Sequence, residues 1–218
     1  MTFDEVKEEI LNRSRIYDLC PAFHDVAIAT SYADIIAIGN DLLIWAYQKG
    51  VLDDTLLAEF PTVDINAAGV YITGTPTLSN PSGDLFFLGN TDATVTMSGN
   101  AKCKINVAGS ANITLTQEDT SYVQLRTYGN ATSSITISDT AIFCLFSNNS
   151  SSNVLTANDN TVSHIIAMNT SNAVITGNND AYINIKARFH STVEYMQNDS
   201  STFDHYPFEQ ATIEVSGV

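Results

Sequence analysis

Apolar residues return in this chain at intervals of about 20 residues, and that period limits the fold more than any other feature. Past Pro61 the sequence reads as nearly interchangeable segments: DLFFLGNTDATVTMSGNAK, CKINVAGSANITLTQEDTS, YVQLRTYGNATSSITISDTA, IFCLFSNNSSSNVLTANDNT, VSHIIAMNTSNAVITGNNDA and YINIKARFHSTVEYMQNDSS. Each holds an alternating strand, a Gly/Asn/Ser turn, a second alternating strand and a second polar turn. In the second strand Met97, Leu115, Ile137, Leu155, Ile175, Tyr195 and Val215 recur, with Val95, Ile113, Ile135, Ala173, Val193 and Ile213 two residues earlier. Residues two apart on a strand share a face. Leu85/Phe87, Ile105/Val107, Val123/Leu125, Phe143/Leu145 and Ile183/Ile185 make the matching column of the first strand.

Two apolar columns per coil, stacked coil on coil, form a core that no single coil could form alone. The fold expected is mainly β: a parallel β-helix, or β-solenoid, of about 20 residues per coil. Coils longer than three hexapeptides favour a right-handed helix. An antiparallel sandwich also yields many short strands, but with less uniform length and composition. Asn153 and Ser163 interrupt the apolar columns, which means either a one-residue slip of register or polar side chains stacked inside as a ladder.

Residues 1–61 carry a different, helical period, so the chain divides into a helical domain, 1–61, and a solenoid domain, 62–218. Thr2 and Glu5 have the form of a capping box, and Phe3, Val6, Ile10 and Leu11 follow at helical spacing, which predicts a helix from Phe3 to Ser14. Residues 21–30 suggest a short helix. Ser31 with Asp34 predicts the cap of a longer one, apolar from Ile35 to Tyr47 and stopped by Gly50. Asp53 to Phe60 suggests another, ended by Pro61. Trp45, beside Leu42, reads as a core anchor of this small bundle.

Nine Lys+Arg against 24 Asp+Glu give a net charge of -15, which argues against nucleic acid as partner, since phosphate binding needs a basic surface. No apolar run is long enough to span a membrane, and the acidic amphipathic start does not resemble a secretory signal. Synthesis and retention in a cytoplasm, or incorporation into a virion, is the expectation. Cys20, Cys103 and Cys144 lack the spacing of a disulfide framework or a zinc site and read as reduced packing residues.

Several clusters invite a chemical reading. Catalytic β-helices group carboxylates and a basic residue on one strand face. Lys186 and Arg188 lie two apart, with Arg126, His164 and His190 on other coils, but Asp and Glu fall in turns, so neither an enzyme nor a cofactor is expected. The turn column Asn100, Asp119, Asp139, Asp159, Asp180 and Asp199 suits left-handed backbone. Its carboxylates, Asp119, Asp139, Asp159, Asp180 and Asp199, are candidates for a weak cation column, though no calcium-binding repeat motif accompanies them. Phe86, Phe146 and Ile166 fall on the outward side and are candidates for a subunit interface. Phe203, Tyr206 and Phe208, near His190 and His205, either close the last coil or form an oligomer contact or glycan platform. Neither histidine has a third ligand at metal-site spacing.

The repeats AGSANITLT and GNATSSITIS resemble those of haemagglutinin-type filamentous adhesin β-helices. They also resemble the "GNA-x-V" coil repeats of uncharacterised β-solenoid proteins of Bacteroidetes phages and prophages. The second resemblance extends to Leu19-Cys20-Pro21, Ala29-Thr30-Ser31 and Asp41-Leu42-Leu43 ahead of the coils. It implies a phage or mobile-element protein without catalytic activity, in which the helical segment attaches or assembles and the solenoid is a rigid element. Homo-oligomers or other virion proteins are the partners implied. A carbohydrate-binding or carbohydrate-processing β-helix is the alternative.

Overall fold

The computed structural model describes residues 1–17, 22–39 and 42–217. The chain forms two compact units, Met1–Ile72 and Thr73–Val218.

The second unit turns the alternation into strands of fixed length. After the short β1 (Val70–Tyr71, in the first unit), β2 (Thr77–Ser79) and β3 (Gly83–Phe87), every strand has six residues. They are β4 (Asp92–Met97), β5 (Lys102–Val107), β6 (Asn112–Gln117), β7 (Tyr122–Thr127), β8 (Thr132–Ile137), β9 (Ile142–Ser147), β10 (Ser152–Ala157), β11 (Val162–Ala167), β12 (Asn172–Gly177), β13 (Tyr182–Ala187), β14 (Thr192–Gln197), β15 (Thr202–Pro207) and β16 (Thr212–Gly217). Strands begin every ten residues, so the last digit of a residue number gives its place in the repeat. Odd strands from β3 to β15 follow one another in one sheet and even strands from β2 to β16 in a second. All pairs are parallel; from β4 on the offset is 20 residues, as in Val95, Leu115, Ile135, Leu155 and Ile175. The fold is a β-solenoid of about seven turns.

Through most of the coils digits 3, 5 and 7 point inward and are buried, and digit 1 is a buried Ala, Ser or Thr at the corner. The sequence columns find the right face but slip along it. Met97 pairs with Gln117 rather than Leu115, whose partner is Val95. The apolar pattern repeats every two residues, so it cannot distinguish registers that differ by two.

The two interruptions are interior polar groups in true register. Asn153 is buried; its Oδ1 accepts from the Ser133 hydroxyl at 2.6 Å and its Nδ2 donates to Ser147 Oγ at 2.7 Å. Ser163 is also buried, in register with Phe143 and Ile183, and its hydroxyl has no hydrogen-bond partner. At the far end of the stack packing loosens. Tyr195 is buried, Phe203 lies against it at 4.4 Å between ring centroids, and His205, though at an inward digit, is exposed.

At nearly every corner the N–H at digit 1 donates to the carbonyl at digit 8, as from Thr91 to Leu88 and from Ser121 to Glu118. Digit 9 is left-handed in every such turn from Gly89 to Glu209. Glycine, Asn and Asp tolerate that conformation; Phe189 (φ 60°) and Glu209 (φ 61°) do so at a cost. The expected Asp column is therefore Asp119, Asp139, Asp159 and Asp199, with Asn179 and Gly99 completing the row. Asn100 and Asp180 stand one residue beyond it.

In the first unit α1 (Phe3–Ser14) begins with the expected capping box between Thr2 and Glu5. α2 (Ala22–Ile28) follows. The single long helix expected after Ser31 is two: α3 (Tyr32–Gly39) and α4 (Leu43–Gln48). Residues 40 and 41, between the two, lie outside the described residues. Ser31 does cap, its Oγ accepting from the Asp34 N–H at 3.2 Å. Trp45 is half-buried, edge-on to Tyr17, while Leu43 and Ala46 supply the buried side of α4. α5 (Asp54–Leu57) is capped by Asp53, whose carboxylate also meets Arg13 at 2.7 Å. A further helix, α6 (Thr62–Ala67), lies past Pro61, so the helical period runs on beyond the proline. Leu19, Cys20, Pro21 and Asp41 lie outside the described residues.

Candidate binding face

Digits 2, 4 and 6 of each strand point outward, and the two sheets use them differently. On the even strands digit 6 reads Thr96, Thr116, Thr136, Thr156 and Thr176 in direct register, and digit 4 reads Thr94, Thr114, Ser134, Val154 and Val174. That surface is uncharged at both digits from β4 to β12. On the odd strands digit 6 reads Phe86, Asn106, Arg126, Phe146, Ile166, Lys186 and Tyr206. All five basic residues of the solenoid, Lys102, Lys104, Arg126, Lys186 and Arg188, stand on the odd strands or in the turn directly after β13.

The column is graded along its length. Phe86 and Asn106, expected to face solvent, are each only 2% exposed, so Phe86 is core rather than a free interface residue. Asn106 is satisfied there by donating from Nδ2 to the Leu85 carbonyl at 3.3 Å. Farther along, Arg126 sits over the Phe146 ring at 5.5 Å and Arg188 over the Phe208 ring at 5.3 Å. Phe146, Ile166, Met168, Lys186 and Arg188 line an open recess of about 260 Å³. The structure thus brings together Phe146, Ile166, Tyr206 and Phe208, with the basic trio Arg126, Lys186 and Arg188. Phe203 points into the solenoid end and does not join them. Met168 escaped the sequence reading because it lies in a turn, at digit 8, where no strand pattern marks it.

The recess has no carboxylate in its lining. Lys104 pairs with Asp84 at 2.6 Å, whereas Lys102, Arg126, Lys186 and Arg188 have no ion pair among the described residues. In a chain of charge -15 that is an unneutralised cationic zone around an apolar floor.

The Asp turn column is spent on backbone. Asp119 Oδ2 accepts from the Gly99 N–H at 2.8 Å, Asp139 Oδ2 from the Asp119 N–H at 3.0 Å, and Asp159 Oδ2 from the Asp139 N–H at 3.4 Å. Each of these three carboxylates therefore ties its coil to the one before. Among the described residues no group of three or more His, Cys, Asp and Glu side chains converges in a manner that could hold a metal ion.

Cys103 and Cys144 are free thiols. Burial, with the Asp84 carboxylate adding to it, pushes the Cys103 thiol from 9.0 up to about 11. Cys144 is on the outer odd face, where the Tyr122 hydroxyl donates to its sulfur at 3.8 Å.

No protein-family model, curated protein or solved structure matches the chain. No described helix is long and apolar enough to cross a membrane.

Proposed function

We propose that this chain is a non-catalytic structural or interaction protein in which the helical unit attaches or assembles and the solenoid is a rigid element presenting its odd-strand face to a partner. The observation that carries this is the segregation of side chains. One solenoid face holds every basic residue of that unit together with outward aromatic and aliphatic groups, and the other is a surface of Thr, Ser and Val from β4 to β12 that gains Glu194, Met196 and Glu214 only at its far end. A solvated exterior without a role needs no such division. The recess supports a binding role over a catalytic one, because its lining joins two cations to an apolar floor and holds no carboxylate, imidazole or thiol. Resemblance of the repeats to those of phage and prophage solenoids supports placement in a virion or mobile-element assembly.

In the helical unit Ile16, Ile28 and Val63 are 80%, 77% and 74% exposed, more than any other large aliphatic side chain among the described residues. They are the contacts through which the unit assembles. Light scattering on full-length protein should give a mass above the monomer, and Ile16→Asp with Ile28→Asp and Val63→Asp should return it to the monomer. A monomeric unsubstituted chain sinks the assembly reading.

The carbohydrate-binding alternative has its own support, in the aromatic and cationic side chains that meet at the recess.

A further inference from the structure

We infer that the recess on the odd-strand face binds an acidic saccharide, with a sugar ring on Phe146, Ile166 and Met168 and its carboxylate held by Lys186 and Arg188. This rests on reading that face as the contact surface, and names what it contacts.

Three features select the ligand. The first is charge: Lys186 and Arg188 are exposed and free of acidic partners among the described residues, so an incoming anion displaces no internal ion pair. Arg126, its guanidinium over the Phe146 ring, is at the other end of the apolar floor, its backbone three strands from Lys186 in the same column, or about 14 Å at the usual strand spacing. An acidic oligosaccharide laid across the strands would meet cations at both ends.

The second is shape. The recess, at about 260 Å³, is shallow and open, and its floor is carbon. Sugar rings present a face of C–H groups that packs on such surfaces while their hydroxyls stay at the edge. The third is the neighbouring column at digit 4, where Gln124, His164 and Asn184, with Cys144 between the first two, offer side-chain hydrogen bonds beside the floor. A peptide adding to a sheet gains affinity from main-chain bonds at a strand edge. Here recognition comes from a sheet face whose main-chain groups already serve the ladder, which favours a polyhydroxylated ligand over an acidic peptide.

The test is calorimetric titration of the full-length protein with a glucuronate-containing tetrasaccharide, its carboxyl-reduced neutral counterpart, and a glutamate-rich peptide of equal charge. The acidic saccharide should bind, more weakly as salt rises, and the neutral one should not. Lys186→Ala with Arg188→Ala should weaken binding about tenfold or more, and Phe146→Ala should weaken it with the cations in place. Thr136→Ala, on the opposite face, should change nothing. Circular dichroism on each variant separates lost binding from lost fold. Silence of the acidic saccharide, equal or stronger binding of the peptide, or affinity unmoved by the double substitution overturns the inference. If the saccharide is silent while the protein assembles as proposed, only this inference falls; if a monomer binds it, the assembly reading falls and this one stands.

Discussion

The two sheets of the solenoid share a backbone and an inward rule, yet their outward faces have little in common. Even strands carry stacked Thr, Ser and Val; odd strands, with the turn after β13, carry every Lys and Arg of the unit and most of its outward aromatics. The difference teaches that in this architecture fold and function occupy separate digits of the repeat. Inward positions must satisfy packing in both sheets alike, and corner positions must satisfy the turn. Digits 2, 4 and 6, with digit 8 beside them, are left free to vary, and on one sheet they have been used.

The comparison breaks first if the interior is not equivalent. Leu145 in the odd sheet and Leu155 in the even sheet are both buried at digit 5. Truncation of either to Ala should cost about 2–5 kcal/mol, and urea midpoints should fall by similar amounts. A large difference would mean that one sheet carries the core and the other decorates it.

Tyr195 and Gly177 sharpen the interior rule. A Cβ at Gly177 would lie 2.7 Å from the Tyr195 hydroxyl oxygen and 3.1 Å from both Ile183 Cδ1 and Ser201 Oγ. Gly177→Ala should cost about 1–3 kcal/mol by overpacking. Added to Tyr195→Phe it should cost less, since the nearest atom is gone. Additive losses in the double variant would place the obstruction elsewhere.

Corners can be tested in the same spirit. Phe189 is left-handed where its counterparts Gly129, Asn149 and Asn169 are at ease. Phe189→Gly should raise stability by roughly 1 kcal/mol despite removing a large side chain, because Phe189 is 44% exposed. A loss would show that the ring's contacts exceed its backbone strain.

The smallest effect belongs to pH. With its thiol raised to about 11, Cys103 keeps its proton in the folded chain at pH values where the unfolded chain has lost it. Its contribution is complete below about 9 and is lost as pH rises toward 11. Cys103→Ala should flatten the stability profile in that window, and an unchanged slope would assign the alkaline loss to other groups.

Much of this was legible in the sequence, and the misses have physical causes. The coil length, inward face and capped first helix follow from periods and caps that local chemistry enforces. The two-residue slip at Leu115 arose because alternation is blind to it. The ten-residue rule at digit 9 was hidden because Gly, Asn, Asp, Phe and Glu all occupy it, a positional constraint with no single residue type to mark it. Burial of Phe86 and Asn106 is tertiary and leaves no trace in the strand pattern. The recess depended on Met168 and on coils far apart in the chain, which only the register brings together.

A ten-residue half-coil also makes the face of every outward residue a matter of parity. Removing one full coil of 20 residues would shorten the stack and leave each downstream side chain on its own side. Removing ten would heal the strands and corners equally well, yet move everything beyond the cut to the opposite sheet. Cations and aromatics would then appear among the threonines. The architecture therefore tolerates growth or loss in whole coils, while half-coil changes, however well they fold, rewrite what the surface says.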